Sequence, residues 1–231
     1  SVIIFFGCKK ENQRIRSSDI QIDIKGQHTL LLKADGTLWT CGYNIAGQLG
    51  DSTGTNRANL KLIATEVKSI QAGYTNTFFI KEDNTLWACG DGGDGQFGNS
   101  ISNNSSFPIK ISDNVKEVRV GSACTFIIKN DNTLWSSGRN YFGQLGDGTQ
   151  NNRTIFTLMA ENVKDVSVSD FSTFVLKTDN TLWACGSNAF GQLGDRTTES
   201  TYTLKKVANN VKSVSAGVFH TVIQKLDNTV W

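Results

Sequence analysis

The feature that most constrains this chain is a repeat with a period of about 48 residues, which runs without insertion or deletion from Ile20 to the last residue. Five tryptophans mark it at equal intervals along the sequence: Trp39, Trp87, Trp135, Trp183 and Trp231. The same spacing relates four Gly-Gln-Leu/Phe-Gly tetrapeptides, which begin at Gly47, Gly95, Gly143 and Gly191. Self-similarity at a period of about 40–50 residues with short strands is typical of β-propellers, in which each repeat forms one blade.

The residue pattern within one unit predicts strands. Alternating residues over 118–120 and consecutive apolar residues over 125–129 predict two strands, the second covered on both faces. An Asn-Asp-Asn turn at 130–132 leads into a third strand over 133–135, and 157–159 is a fourth candidate. No segment has the period of a helix. We therefore predict an all-β fold, with the tryptophans placed between four-stranded blades.

Four complete blades and one partial blade fit this period. They are predicted over residues 20–67, 68–115, 116–163, 164–211 and 212–231. Charged residues make up only 19% of the chain, which argues against disorder. The formal net charge of +2 is spread along the sequence without a basic patch. A nucleic-acid partner is therefore not expected.

The pattern Leu-Lys-x-Asp-Gly-Thr-Leu-Trp-x-Cys-Gly-x-Asn-x-x-Gly-Gln-Leu-Gly over 32–50 resembles the regulator of chromosome condensation repeat family. The resemblance extends over residues 20–231 and implies a seven-bladed propeller, of which about four and a half blades are present here. Members of this family include exchange factors for a small GTPase, ubiquitin-ligase modules, a plant ultraviolet sensor and a secreted bacterial inhibitor of β-lactamase. The resemblance therefore implies the fold and leaves the activity open.

The N-terminal segment resembles the end of a bacterial lipoprotein signal, because an apolar run over 2–6 is followed by glycine and Cys8. On this interpretation Cys8 is the lipidation site, and residues 1–19 are a signal-peptide remnant followed by a polar tether. The membrane would be contacted only through the lipid at Cys8, with the protein at the cell envelope or secreted. The alternatives are a cytoplasmic protein and a strand over 2–6 that helps to close the propeller.

The sequence contains few candidates for catalytic or metal-binding residues. The two histidines, His28 and His220, have no sequence neighbours that would form a catalytic triad or a zinc site. Asp91 and Asp94, in a Gly-Asp-Gly-Gly-Asp-Gly segment, are a weak candidate for a cation site. No phosphate-binding glycine motif is present. We therefore predict no enzyme activity, no cofactor and no metal site.

Three of the five cysteines occupy one position of the repeat, namely Cys41, Cys89 and Cys185. Packed sheets lie about 10 Å apart, which is too far for a disulfide between equivalent positions. We therefore expect buried, reduced thiols that pack between blades.

Strand direction predicts where a partner would bind. The loop between the first two strands and the loop after the third strand should share one rim of a blade, with the near-identical Asp-Asn-Thr turns on the other. The first rim varies from blade to blade in residue types typical of binding hot spots. The candidate contacts are Tyr43, Ile45, Asp94, Arg139, Tyr141, Phe142, Phe171, Phe190 and Phe219. For Phe142 and Phe190 the alternative is packing beneath the Gly-Gln-Leu-Gly loops.

These observations favour a non-enzymatic binding platform for a protein or another surface ligand. One alternative is a guanine-nucleotide exchange regulator of a small GTPase. The exchange factors of the family insert a hairpin from one blade into the GTPase, whereas no repeat here contains an insertion. The other alternative is an inhibitor of a secreted enzyme.

Overall fold

The structure, a computed structural model, describes residues 20–231. The expectations for residues 1–19, among them the lipid site at Cys8 and a strand over 2–6, lie outside the described residues. Every regular element that the structure describes is a β-strand, and residues 20–231 contain no helix that could span a membrane.

The strands form four sheets of four strands and one sheet of two, each built from segments consecutive in the sequence. The first sheet contains β1 (Ile20–Lys25), β2 (His28–Lys33), β3 (Leu38–Gly42) and β4 (Arg57–Ala64). The second contains β5 (Val67–Ala72), β6 (Asn76–Lys81), β7 (Leu86–Gly90) and β8 (Ser105–Ser112). The third contains β9 (Val115–Val120), β10 (Cys124–Lys129), β11 (Leu134–Gly138) and β12 (Arg153–Ala160). The fourth contains β13 (Val163–Val168), β14 (Ser172–Lys177), β15 (Leu182–Gly186) and β16 (Thr201–Ala208). The fifth contains β17 (Val211–Ala216) and β18 (Thr221–Lys225).

The tight turn between the second and third strands sets the register of each sheet. In the third blade Asp131 Oδ1 accepts hydrogen bonds from the backbone N–H of Thr133 at 3.0 Å and from its hydroxyl at 2.6 Å. Asn132 adopts a φ of +62°, which asparagine tolerates better than most residues. The first blade has Gly36 at this position, with a φ of +76°. The repeated Asp is therefore explained by turn geometry.

Each sheet after the first begins one residue before the boundary drawn from the sequence. The reason is the valine that opens its first strand: Val67, Val115, Val163 and Val211 are buried and belong to the core. The described residues divide into two compact units, one of residues 20–91 and 104–110 and the other of residues 92–103 and 111–231. In each unit, apolar side chains from the second and third strands of one blade pack against the first strand of the next.

Four tryptophans share one environment: Trp39, Trp87, Trp135 and Trp183. Each is partly buried, and its indole N–H donates to the hydroxyl of the threonine two residues earlier at 2.8–2.9 Å. A lysine ammonium lies 4.3–5.3 Å from each indole ring, within the range of a cation–π interaction. Trp231, the last residue of the sequence, makes the same indole bond to Thr229 at 2.9 Å, and 74% of it is exposed. The expectation of equivalent, partly buried sites is therefore met by the tryptophans of the four complete blades.

Candidate binding surface

Backbone hydrogen bonds establish which loops share a rim. In the third blade the N–H of Arg139, just after β11, donates to the carbonyl of Ala123 in the β9–β10 loop at 2.9 Å. In the fourth blade Ser187 and Phe171 make the same bond at 2.9 Å. At the opposite rim, the N–H of Val163 donates to the carbonyl of Asn132 in the hairpin turn at 2.9 Å. The loop between the first two strands and the loop after the third strand therefore lie on the same rim, opposite the hairpin turns, as the strand directions predicted.

The long loop after the third strand is built around one buried asparagine. In the first blade Asn44 Nδ2 donates to Asp51 Oδ1 and to the carbonyls of Thr53 and Thr55, at 3.0, 3.0 and 3.1 Å. Its Oδ1 accepts from the N–H of Leu49 at 2.8 Å. Asn140 and Asn188 occupy the same position in the third and fourth blades and make corresponding bonds. Sequence reasoning missed this role, although the asparagine belongs to the repeated pattern.

A buried carboxylate closes each of these loops. Asp51 pairs with Arg57, Asp147 with Arg153 at 2.5 Å, and Asp195 with Lys205 at 2.6 Å. Desolvation opposes ionisation of Asp51, but hydrogen bonds from Thr53 and Arg57 outweigh it and lower the pKa of its carboxyl to about 2. These three carboxylates therefore stabilise the loops through their ion pairs and hydrogen bonds.

The second blade has a different loop. Gly92 stands where the other blades have the asparagine, and a Cβ there would lie 2.3 Å from the carbonyl oxygen of Asn103. Asp94 binds residues of the third blade within the same unit. Its two oxygens accept from Arg139 Nη2 at 2.6 Å and from Asn152 Nδ2 at 3.2 Å. The sequence suggested the Asp94 carboxylate as a ligand for a cation or as a contact for a partner. In the structure it joins two neighbouring loops.

Arg139 is consequently not the free guanidinium that the sequence suggested. Besides its ion pair with Asp94, its guanidinium carbon lies 5.8 Å from the ring centroid of Tyr141. Tyr141 itself is 57% exposed. Arg139 therefore positions its neighbours, whereas Tyr141 presents its ring to solvent.

Four phenylalanines from four loops form one continuous aromatic surface, which we call the aromatic rim surface: Phe142, Phe171, Phe190 and Phe219. Phe142 meets Phe171 edge to face, with centroids 4.9 Å apart. Phe171 stacks on Phe219 at 6.2 Å, and Phe219 meets Phe190 edge to face at 4.9 Å. Aromatic pairs at these distances attract one another beyond simple area burial.

This surface is open to solvent. Phe142, Phe219 and Phe190 are 41%, 53% and 69% exposed, and Phe171 is partly buried between them. The alternative in which Phe142 and Phe190 pack beneath the Gly-Gln-Leu-Gly loops is therefore wrong, because the buried residues of those loops are Gln and Leu. Sequence reasoning named all four rings but could not show that they touch.

The remaining candidates, Tyr43 and Ile45, belong to the other compact unit. Ile45 is 65% exposed, and Tyr43 is partly buried. They lie on the loop after β3, which corresponds in the repeat to the loop that carries Tyr141 and Phe142.

The cysteines take part in packing. Among residues 20–231 all four cysteines are free thiols. Cys89 and Cys185 are fully buried, and each Sγ lies 3.6 Å from the carbonyl oxygen of a glutamine in the preceding blade, Gln48 or Gln144. Burial raises the pKa of Cys89 to about 12. Cys41 is only partly buried, which differs from the expectation for this column.

The two histidines have different surroundings. His28 is buried, with Nε2 3.0 Å from the hydroxyl of Thr77, whereas His220 is exposed. Within residues 20–231 no group of three or more His, Cys, Asp or Glu side chains is arranged to hold a metal ion.

Sequence models described as the regulator of chromosome condensation (RCC1) repeat match residues 20–48, 67–96 and 163–192 in one form, and 131–176 and 179–224 in another. Together these segments cover more than half of the chain. The chain belongs to the regulator of chromosome condensation repeat family. Comparison with curated proteins found no match.

Solved structures agree with membership of the RCC1 repeat family. Human WBSCR16 is 17% identical with a TM-score of 0.75, and the match covers 92% of this chain and 59% of that one. Yeast RCC1 (Prp20), solved bound to Kap60, is 19% identical with a TM-score of 0.75, covering 91% of this chain and 54% of that one. A second structure of Prp20p from Saccharomyces cerevisiae, whose description concerns its binding to Gsp1p and histones, is 19% identical with a TM-score of 0.72.

This chain therefore spans somewhat more than half the length of these related structures. At such identities the likeness shows the fold, which is an RCC1-type β-propeller of repeated four-stranded sheets. The likeness does not assign the activities or partners of those proteins to this chain.

Proposed function

We propose that this chain is a non-enzymatic platform that binds a protein through the aromatic rim surface. The observation that carries the proposal is the continuous contact of four phenylalanines in a solvent-exposed position. Exposed aromatic rings that form a contiguous patch are typical of protein-binding sites. Yeast RCC1, which has the same fold, has been solved with the protein Kap60, and this supports a protein as the class of partner.

The surrounding residues support recognition by shape and apolar contact. Tyr141, the residue before Phe142, is also exposed, and its loop is held by the pair between Arg139 and Asp94. Phe142 and Phe190 belong to loops that are fixed by the buried side chains of Asn140 and Asn188, so these loops have little conformational freedom to lose on binding. The exchange-regulator alternative gains no support from the described blades, since none contains an insertion that could act as a wedge.

The experiment compares two phenylalanines of matched exposure. Phe219 is 53% exposed on the aromatic rim surface, and Phe107 is 55% exposed on the outer strand β8. Proteins retained by the immobilised chain from an extract of its source organism are identified, purified and titrated against Phe219→Ser and Phe107→Ser. We expect Phe219→Ser to weaken binding by roughly 30-fold, in line with about 2 kcal/mol for a hot-spot ring.

Phe107→Ser should leave the affinity unchanged, and neither variant should lower the melting temperature appreciably. Equal binding by Phe219→Ser, or loss of binding only in Phe107→Ser, would place the site elsewhere on the molecule.

We also propose that Cys8 carries a lipid, which would hold the platform at the cell envelope. The support is the apolar run before Cys8 and the polar residues that follow it. Intact mass and membrane fractionation of the protein made in a bacterial host test this. We expect an added diacylglyceryl mass that is absent from Cys8→Ser; an unmodified protein in the soluble fraction would contradict the lipid anchor.

A further inference from the structure

The fourth strand of each complete blade is the outer edge of its sheet. Such an edge presents unpaired backbone N–H and C=O groups, which can pair with a strand from another chain. Proteins commonly protect an edge with lysine or proline, because lysine resists burial and proline cannot donate a hydrogen bond.

Three of the four outer strands carry this protection. In β4 the protecting residue is Lys61, in β8 it is Pro108 together with Lys110, and in β16 it is Lys206, next to Lys205, which is paired with Asp195. At the equivalent positions β12 has Phe156, Thr157 and Leu158. The stretch Thr154–Ala160 contains no charge, no proline and no glycine. A segment of this composition is of the type that pairs readily with other strands.

The structure also defines which part of the β12 edge is available. At its start, the carbonyl of Thr154 accepts from the N–H of Ser100 at 2.8 Å, and the N–H of Phe156 donates to the carbonyl of Gly98 at 3.2 Å. A loop of the same unit therefore covers the first half. The second half, residues 157–160, has no such cover among the described residues, and Leu158 is 44% exposed.

We propose that a second copy of this chain binds here, with the two β12 edges pairing antiparallel about a two-fold axis near Leu158. The argument is electrostatic. A two-fold pair brings a strand against itself, so that a lysine near the centre of the strand meets its own copy, and like charges opposite each other destabilise a sheet. Self-pairing of β4 or β16 would bring lysines together, whereas β12 opposes only uncharged residues.

This pairing makes a closed dimer. An isologous contact uses the same edge of both copies, so no further copy can add at that edge. Because only a short stretch of strand is free, the association should be weak and dependent on protein concentration.

Sedimentation velocity over two orders of magnitude in concentration, with a reductant present, tests the proposal on the whole chain. The wild-type protein should move from monomer to dimer. Leu158→Lys and Thr157→Lys introduce the residue that other blades have at those positions, so the fold should tolerate them. Each should raise the dimer dissociation constant by roughly tenfold or more.

Leu62→Lys on β4 is the matched control, because it adds the same charge at the same position of the repeat on an edge that Lys61 already protects. It should dimerise like the wild type, as should Phe219→Ser, which changes only the aromatic rim surface. A wild type that stays monomeric throughout would overturn the proposal. So would assembly beyond the dimer, or a dimer that survives Leu158→Lys and is lost in Phe219→Ser.

Discussion

The second strand opens with a different residue in each of the four complete blades, and in the first blade this residue is the buried His28. It is 1% exposed, its Nε2 lies 3.0 Å from Thr77 Oγ1, and its Nδ1 has no hydrogen-bond partner. Desolvation by burial lowers the pKa of His28 from 6.5 to about 4, although the nearby Asp23 carboxylate acts in the opposite direction. The folded protein therefore holds this imidazole neutral at pH values where the unfolded chain protonates it.

This arrangement predicts a pH-dependent stability with a defined window. Since the folded pKa lies below the unfolded value, the unfolded state binds more protons, and acidification from pH 6.5 to about 4 lowers the free energy of unfolding. The loss should reach about 3 kcal/mol. Urea titrations across this window measure it.

His28→Asn is the matched variant, because Asn76 occupies the equivalent position of the second blade. The variant should be less sensitive to pH between 6.5 and 4, and the difference from the wild type isolates His28 from other groups. The Asp51 carboxyl, with a pKa of about 2, titrates below this window. Equal pH dependence in both proteins would show that His28 is accessible to protons in the folded state.

At the scale of the element, the long loops are where sequence reasoning was weakest. The strands could be predicted because each is encoded by its own residues, as in the apolar run of β10 and the Asp-Asn-Thr turn after it. The shape of the loop over 139–152 depends on Asn140, which bonds to residues five to nine positions away. The repeat marks the position of this asparagine, but no local pattern shows that its side chain becomes the buried centre of the loop.

The loop architecture predicts that Asn140→Ala destabilises the protein and loosens this segment. Asn140 is fully buried, and its removal leaves the N–H of Leu145 and the carbonyl of Thr149 without their partners. The expected cost is about 3 kcal/mol, measured by chemical denaturation. Hydrogen exchange should become faster across residues 139–152.

Asn151→Ala, at an exposed position of the same loop, is the control and should change stability by less than about 0.5 kcal/mol. Similar effects of the two substitutions would mean that the buried asparagine does not organise the loop.

For the whole molecule, the regular repeat marked by the tryptophans was enough to predict the class of fold and the rim that varies. It was not enough to predict the aromatic rim surface. Phe142 and Phe219 belong to the third and fifth repeats, and their link through Phe171 arises only when successive blades stack. The pairing of Arg139 with Asp94 was missed for the same reason, because each residue was assessed within its own repeat.

The charge of the whole chain sets the expected salt dependence of binding. With a formal charge of +2 and an apolar contact surface, the affinity for a protein partner should change by less than about threefold between 50 and 500 mM salt. Titration calorimetry should also show a negative heat-capacity change, as expected when apolar surface is buried. An affinity that falls steeply with salt would instead indicate ionic contacts, such as those made to nucleic-acid phosphates.

Three contacts between neighbouring blades, those of Thr77, Thr173 and Thr221, are equivalent in the repeat and use a main-chain acceptor. Thr77 Oγ1 donates to the carbonyl of Gln48 at 2.7 Å, and Thr173 Oγ1 donates to that of Gln144 at 2.8 Å. A carbonyl oxygen is the same whichever side chains stand beside it in the loop. These hydrogen bonds between blades therefore do not depend on which side chains are displayed next to them. Segments 44–46 and 140–142 each begin with the buried asparagine and leave out Arg139, so exchanging them between blades would change the displayed residues while keeping these contacts.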